Sequence, residues 1–401
     1  MEVSADGAVP GDTDGAVPGD TDGAVPGDGV GLPVPSGELL ASPLAPLTDA
    51  RAATIGATAG ARLARLRAAA PQLAADIVAS GQPSGVTTGD LSLRGHPAEA
   101  ALDGAPRSPA PVVWLTHRML VVQWDDDGHT RTLLWCPTDE VATARPGDVP
   151  RRLRRGGDRR LGTVLGHVRA LGIDPAHVDL LAFPDLRGQD VRRWLGTTRP
   201  APDLGSPDEP LTPHFPSAHL AVARAEWEAL DQPHPLERAA YRSEAFRDLP
   251  GERVVGLDGD VLLGPGVALV ATPGRTAGTT SLVLHTEGGL WVASANGVAA
   301  DCWAPRASRI PGLRHHAVER ARDVIPHRTA GGDATAQHDA MVVERLLAAP
   351  RDEAPFPRCY PAAELTRDRR APGIRPSTGA TRLTHGLVRG DRVLAARATS
   401  A

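Results

Sequence analysis

A polar segment that directly follows an apolar run contains the residues best suited to chemistry. Val178–Phe183 is largely apolar and predicts a buried strand. Four side chains follow it at short spacing, namely Asp185, Arg187, Gln189 and Asp190. A carboxylate can bind a metal ion or accept a proton, whereas a guanidinium stays protonated and has no acceptor. The segment therefore predicts a polar site at the end of a strand.

Three later segments extend this pattern. Phe215–Trp227 predicts a strand followed by a helix that begins Arg-x-Glu-Trp, and Leu290–Val298 predicts a strand with a polar end. Between them, Thr272–Ser281 is similar to the loop Thr-Pro-Gly-His-Thr-x-Gly-His-Thr-Ser of the metallo-β-lactamase superfamily. The segment 178–190 resembles the strand, turn and helix that carry His-x-His-x-Asp-His in the same superfamily. In order and spacing, the chain thus resembles this superfamily over roughly residues 110–350.

The resemblance implies a fold, a cofactor and a class of reaction. The fold is α/β, a four-layer αβ/βα sandwich, which agrees with strands and helices that mix along the chain. The cofactor is a pair of zinc ions held by histidine and carboxylate ligands. The reaction is hydrolysis of an ester, thioester, lactam or phosphodiester, although a fold alone does not fix a function.

The resemblance also assigns a metal-ligand position to each residue of the first loop. Asp185 stands at the first His, Arg187 at the second His, Gln189 at the Asp and Asp190 at the last His. Arg187 cannot bind a metal ion, and Gln189 offers only a weak carbonyl oxygen and cannot take a proton. Only the two carboxylates keep ligand character.

Ligands are lost from the other segments as well. Arg275 stands at the His of the Pro-Gly-His loop, and Asn296 stands at the Asp that bridges two metal ions. His327 matches the final His, and Thr279 completes the candidate cleft residues. Because fixed guanidinium charges repel a dication at short range, we expect no cofactor.

Charge replacement is the interpretation that accounts for both arginines. Arg187 and Arg275 would occupy the space of the zinc ions, each forked onto a carboxylate, Asp185 or Asp190. One alternative is a mononuclear zinc site of Asp185, Asp190 and His327. A second alternative is an ordinary polar loop, in which Asp190 only caps a helix.

Two functions follow from these interpretations. The first is a binding or regulatory protein with a degenerate zinc site, a pseudoenzyme that takes a small-molecule ligand in the old cleft. The alternative is an active hydrolase of an ester, thioester, lactam or phosphodiester, with an altered mononuclear zinc site or a non-metal site built on the arginines. Metal content of the protein and of an Asp190→Ala variant would separate the two.

The remaining sequence divides into four parts. An acidic repeat, Asp-Gly-Ala-Val-Pro-Gly-Asp-Thr with a period of 8 residues, predicts a disordered tail over residues 1–45. Residues 46–110 predict a helix, at 49–80, and then a Pro/Gly-rich linker. The domain that carries the candidate site covers 111–350, and residues 351–401 predict a C-terminal extension.

Composition limits the cellular setting and the partners. The basic residues are all arginine, and 43 Gly and 38 Pro among 401 residues are typical of a GC-rich, actinobacterial-type genome. The first 30 residues hold seven acidic and no basic side chains, so the remainder of the chain, at +2, is close to neutral. Three widely spaced cysteines and an acidic N-terminus without an apolar stretch predict a cytoplasmic protein with no membrane partner. The patch Arg151–Arg160 lacks interleaved aromatic residues, which disfavours a nucleic-acid partner.

Overall fold

Two β-sheets form the centre of the molecule. The computed structural model describes residues 31–39, 41–139, 158–352 and 355–390. In chain order the strands are β1 Ser42–Leu44, β2 Gly85–Pro97, β3 Val112–Asp126, β4 His129–Trp135, β5 Arg159–Arg160, β6 Leu180–Ala182, β7 Pro200–Ala201, β8 Ser206–Pro210, β9 His219–Ala223, β10 Val254–Leu257, β11 Asp260–Gly264, β12 Val267–Ala271, β13 Thr280–Thr286, β14 Gly289–Ser294, β15 Cys359–Pro361, β16 Ala363–Thr366 and β17 His385–Gly386.

Short and medium helices connect these strands. Within the described residues they are α1 Ala45–Ala52, α2 Ala59–Ala79, α3 Ala98–Ala101, α4 Val164–Ala170, α5 Arg192–Leu195, α6 Arg224–Asp231, α7 Ala300–Trp303, α8 Leu313–Glu319 and α9 Ala334–Leu347. None of them has the length and apolar character that a membrane span requires.

The strand order shows how distant parts of the chain meet. The smaller sheet runs β1-β11-β12-β13-β14-β15, and the larger sheet runs β10-β9-β6-β4-β3-β2-β17. β16 also pairs with β3, β5 pairs with β2, and β7 and β8 form a separate ribbon. The parallel strands β4, β6 and β9 end at one edge of the larger sheet, where the loop after β6 begins.

Alternating side chains divide the molecule into four layers. Leu282 and Leu284 of β13 pack between the sheets, whereas Val283 belongs to the cluster that includes α2 and α9. In β3, Val122 packs between the sheets and Val121 packs toward α4 and α6. Because successive residues of a strand point to opposite faces, each sheet buries one face against the other sheet and one face under helices. The predicted αβ/βα four-layer sandwich is confirmed.

The predicted segment boundaries differ from those of the fold. Ser42–Leu44, assigned to the tail, pairs with Asp260–Leu262 of β11; residues 1–30 lie outside the described residues. The predicted linker contains β2, which pairs with β3 from Gly85 to Pro97. The predicted C-terminal extension supplies β15, β16 and β17 to both sheets. These strands are short, or rich in Gly, Thr and Ser, and their partners are distant in sequence, so local patterns gave little signal.

Two expectations about the setting meet the structure only in part. Cys136, Cys302 and Cys359 are all buried free thiols, which agrees with a reduced protein, and the cytoplasmic location stays a prediction. Arg159 and Arg160 are exposed, but the main part of the Arg151–Arg160 patch lies outside the described residues.

Candidate functional site

The loop after β6 is held in place by a buried carboxylate on a neighbouring helix. Glu226, in the first turn of α6, accepts hydrogen bonds from the Leu186 N–H at 2.8 Å and the Tyr241 hydroxyl at 3.1 Å. Its other oxygen accepts from the Thr276 hydroxyl at 2.6 Å. Burial and then the charge of Asp185 raise the pKa of Glu226 to about 7. Glu226 therefore links the loop after β6 to the loop after β12.

The loop after β12 needs its glycines because other chain segments approach it closely. Gly274 has a φ of +132°, and a Cβ there would collide with the Gln337 backbone. A Cβ on Gly278 would collide with the Glu226 backbone. Since only glycine tolerates such approaches, the Thr-Pro-Gly-x-Thr-x-Gly pattern fixes the position of Arg275.

Arg275 and Arg187 both face one carboxylate. Nε of Arg275 donates to Asp185 Oδ2 at 2.7 Å, and Nε of Arg187 lies 3.5 Å from Asp185 Oδ1. Burial opposes ionisation of Asp185, but the charges of Arg275 and Arg187 outweigh it and lower its pKa. The arginines therefore form ion pairs as expected, but on a shared partner.

The expected pairing of an arginine of the site with Asp190 is wrong. Asp190 is 1% exposed and pairs with Arg192, which donates Nε to Oδ1 at 3.1 Å and Nη2 to Oδ2 at 2.7 Å. Its Oδ1 also accepts from the Arg192 N–H at the start of α5. The nearby Arg192 binds Asp190 in a bidentate manner. Val191, not Asp190, is the N-cap residue of α5, and no side chain caps this helix, so the capping role expected for Asp190 is not observed. A metal site of Asp185, Asp190 and His327 is excluded by this geometry.

A cavity of about 540 Å³ opens beside Asp185. Five of the residues predicted from the sequence line it: Asp185, Arg187, Gln189, Arg275 and His327. The other three, Asp190, Thr279 and Asn296, are not among its lining residues.

Thr279 and Asn296 belong to closed hydrogen-bond networks. The Thr279 hydroxyl accepts from the Thr276 N–H at 2.8 Å. The Asn296 amide donates to Glu344 at 2.8 Å and accepts from Gln337 at 3.3 Å. Both side chains are fully buried, so their roles here are structural.

Sequence reasoning missed two histidines of the cavity. His96 of β2 and His117 of β3 face each other, with 3.0 Å between their Nε2 atoms and stacked rings. The His327 ring stands edge-on to His96 at 6.1 Å, and its Nδ1 accepts from Arg275 Nη1 at 3.2 Å. Burial, then the charges of Arg94 and Arg275, lower the pKa of His96 to about 4. Burial and Arg275 likewise hold the pKa of His327 well below its usual value.

A strand pattern in the sequence around His96 could have indicated that His96 and His117 lie on paired strands. Leu91-Ser-Leu93-Arg-Gly-His96 alternates apolar and polar residues, which is typical of a strand. The glycines and prolines around this stretch led to its assignment as a linker.

The charge of the cavity wall is positive. Five arginines and two aspartates line it. Arg118 and Arg328 are paired with Glu364 and Asp103, which lie outside the lining. Among the described lining residues, arginines therefore outnumber carboxylates, and His96 and His327 are neutral at pH 7.

Comparison with known proteins gives a distant likeness only. No family model and no curated protein matches the chain. Similar solved structures include AiiA of B. thuringiensis with N-decanoyl-L-homoserine bound at its active site, at 17% identity and a TM-score of 0.40, covering 63% of this chain and 94% of that one. A hydrolase described as a beta lactamase superfamily protein has 13% identity and a TM-score of 0.38, covering 64% and 81%. AidC, a dizinc quorum-quenching lactonase, has 9% identity and a TM-score of 0.39, covering 75% and 97%.

These structures agree with the superfamily that the sequence resembles, but at such TM-scores no activity is transferred from them. They do correct one expectation. Because a similar structure is described as a dizinc enzyme, zinc is the cofactor that the comparison associates with this fold, and the expectation of no cofactor is wrong.

The residues at the superfamily's ligand positions do not fit a zinc pair. Guanidinium groups stand at two of those positions, and a guanidinium has no lone pair to offer. The amide group of Asn296 donates a hydrogen bond to Glu344. Within the described residues, no group of three or more His, Cys, Asp or Glu side chains is arranged to hold a metal ion.

Proposed function

We propose that the chain is a hydrolase of the metallo-β-lactamase fold that acts on a small ester, thioester or lactam in this cavity. The observation that supports the proposal best is that His96, His117 and Arg275 all line one cavity of about 540 Å³. That volume suits a small molecule. An imidazole and a guanidinium in the same cavity supply the two groups that acyl transfer to water requires.

The roles follow from the charges of these groups. The low pKa of His96 keeps its imidazole neutral at pH 7, so it has a lone pair to accept a proton from an attacking water. Its hydrogen bond with His117 orients the ring. Arg275 is held by Asp185 and presents a fixed positive charge to the oxygen on which negative charge develops.

A second candidate is a binding protein without turnover. Asp185 supports it, since the carboxylate nearest the centre of the candidate site is held in ion pairs with two guanidinium groups of the protein. In that case the cavity would bind a ligand and leave it unchanged.

The test is a hydrolysis assay on purified protein. Chromogenic acyl esters, thioesters and β-lactams would be assayed with wild type, His96→Ala, His117→Ala and a matched control, His315→Ala, whose side chain is 53% exposed on α8. Each protein would be assayed with added Zn²⁺ and with chelator. We expect both cavity variants to lose roughly 100-fold or more of the rate, the usual contribution of a general base, and the control to match wild type. A wild-type rate equal to that of the His96→Ala/His117→Ala double variant on every substrate would instead favour the binding protein.

A further inference from the structure

Arg187 is a buried cation with unmade hydrogen bonds. Its side chain is 6% exposed, and its Nε and Nη2 are buried with no hydrogen-bond partner among the described residues. Asp185, the carboxylate 3.5 Å from Arg187 Nε, accepts its short hydrogen bond from Arg275 instead. A buried guanidinium with unused donors is costly unless another group satisfies it.

Gln189 leaves a complementary atom unused two residues later. Its Oε1 is buried and, in the part of the chain that the structure describes, accepts no hydrogen bond. Gln189 and Arg187 both line the cavity. Two side chains of the loop after β6 that line the cavity therefore each keep polar atoms with no hydrogen-bond partner among the described residues.

The rest of the wall indicates what else such a ligand contains. Apolar side chains line much of the cavity, among them Phe183, Leu236, Ala239, Ala240 and Ala362. The Arg187 guanidinium favours an anion, and the apolar wall favours a hydrocarbon body.

We infer that Arg187 and Gln189 form a subsite for a small carboxylate that carries a hydroxyl or N–H donor beside the carboxylate, with an apolar body along the alanine-rich wall. The carboxylate accepts from Nε and Nη2 of Arg187, whose planar fork matches two oxygens. The neighbouring donor bonds to Gln189 Oε1. The inference deepens the proposed function by naming the substrate class of that cavity, but the binding itself requires no turnover.

Calorimetric titration of the full chain tests the subsite. The probes are hexanoate, hexanamide, 2-hydroxyhexanoate and inorganic phosphate. We expect hexanoate to bind roughly 10- to 100-fold more tightly than hexanamide, the range for a hydrogen bond to a charged group. We also expect 2-hydroxyhexanoate to bind more tightly than hexanoate, and phosphate more weakly.

Matched variants locate the effect. Arg187→Met keeps the length of the side chain and should remove the preference for hexanoate over hexanamide, while Gln189→Leu should remove only the gain from the hydroxyl. Arg67→Met, at a 47% exposed position on α2, is the control and should bind all probes as wild type does. Arg187→Lys keeps the charge without the fork and should be intermediate.

The outcomes separate the two proposals. Equal binding of hexanoate and hexanamide by wild type, which needs no variant, would overturn the subsite, as would tighter binding of phosphate than of hexanoate. Carboxylate binding that depends on Arg187, in a protein that hydrolyses none of the acyl substrates, would support the subsite and refute the hydrolase.

Discussion

Two buried regions of the molecule each contain a carboxylate, and each contains a residue that the resemblance assigned to a metal-ligand position. The two carboxylates differ in the groups that bind them. In the charged cleft, Asp185 lies between Arg187 and Arg275 at the wall of a cavity. In the Glu344 network, the carboxylate of Glu344 accepts four hydrogen bonds, all from neutral donors. These donors are Ser281, Ser294, Asn296 and Trp303.

The two carboxylates consequently have opposite pKa shifts. Two cations lower the pKa of Asp185 in spite of its burial, whereas burial raises the pKa of Glu344 and neutral hydrogen bonds offset it only in part. Asn296 fits its position because an amide can donate to Glu344, while an aspartate there would face a second carboxylate. Both carboxylate oxygens of Glu344 have hydrogen-bond donors, whereas Nε and Nη2 of Arg187 in the charged cleft have no hydrogen-bond partner among the described residues. The difference points to the cleft as the place for a ligand.

The largest expected effect is on the Glu344 network. Glu344→Ala would leave four buried donors without an acceptor, and at about 1 kcal/mol or more for each we expect a loss of about 4–5 kcal/mol of unfolding free energy. That is a large fraction of the stability of an ordinary domain. Urea unfolding measures it, with Glu319→Ala, 64% exposed, as the control. A loss as small as that of the control would show that the network is not the closed structural unit described here.

The next effect concerns the charged cleft. Asp185→Ala would leave Arg187 and Arg275 without their shared carboxylate, and breaking a buried ion pair costs about 3 kcal/mol or more. The matched control is Asp258→Ala, since Asp258 and Arg224 form an Asp–Arg contact of 2.9 Å that is largely exposed and worth about 1 kcal/mol at most.

A double-mutant cycle sharpens that result. If the charges are coupled, Asp185→Ala combined with Arg275→Ala should lose less stability than the sum of the single variants, because the second change removes one unpaired cation. Additive losses would mean that Asp185 and Arg275 do not stabilise each other, and the charged cleft would lose its physical basis.

The sequence predicted which residues meet at the charged cleft better than it predicted which ion pairs they form. Asp185, Arg187 and Arg275 come from two loops about 90 residues apart, yet the resemblance to the superfamily implied that they lie together. The pattern could not choose the partner of Asp190. Arg192, two residues later, binds it, and such a choice depends on side-chain directions that spacing does not give.

Most of the fold was also predictable. The prediction failed for residues whose position depends on a contact with a partner. Apolar runs such as Val112–Trp124 indicated strands, and the resemblance to the superfamily implied the sandwich. His96 and His117 became visible only when β2 was paired with β3, because β2 has a weak local signal and gains its stability from a neighbour. Residues whose position depends on pairing are those that local patterns miss.

The smallest expected effect is a pH dependence at Glu226, which lies between the two kinds of region. Its burial resembles that of Glu344, but the charge of Asp185 adds to it, and its pKa rises from 4.5 to about 7. The folded state therefore keeps the proton of Glu226 to a higher pH than the unfolded state does. The associated stability is fully present below pH ~4.5 and is lost as the pH rises through about 7. Asp185 behaves in the opposite sense, since its lowered pKa affects stability only at acid pH, below its usual 3.8.

Glu226→Gln removes the titration while it keeps the shape of the side chain. We expect the unfolding free energy of wild type to fall by about 2 kcal/mol more than that of Glu226→Gln between pH 5 and pH 8, as a shift of this size implies. Urea unfolding across this range measures the difference, and Glu228→Gln, exposed on the same helix, should follow wild type. Parallel curves for wild type and Glu226→Gln would mean that Glu226 titrates normally. Asp185 would then exert no electrostatic influence on the carboxylate that holds its loop, and the charged cleft would be electrostatically as self-contained as the Glu344 network.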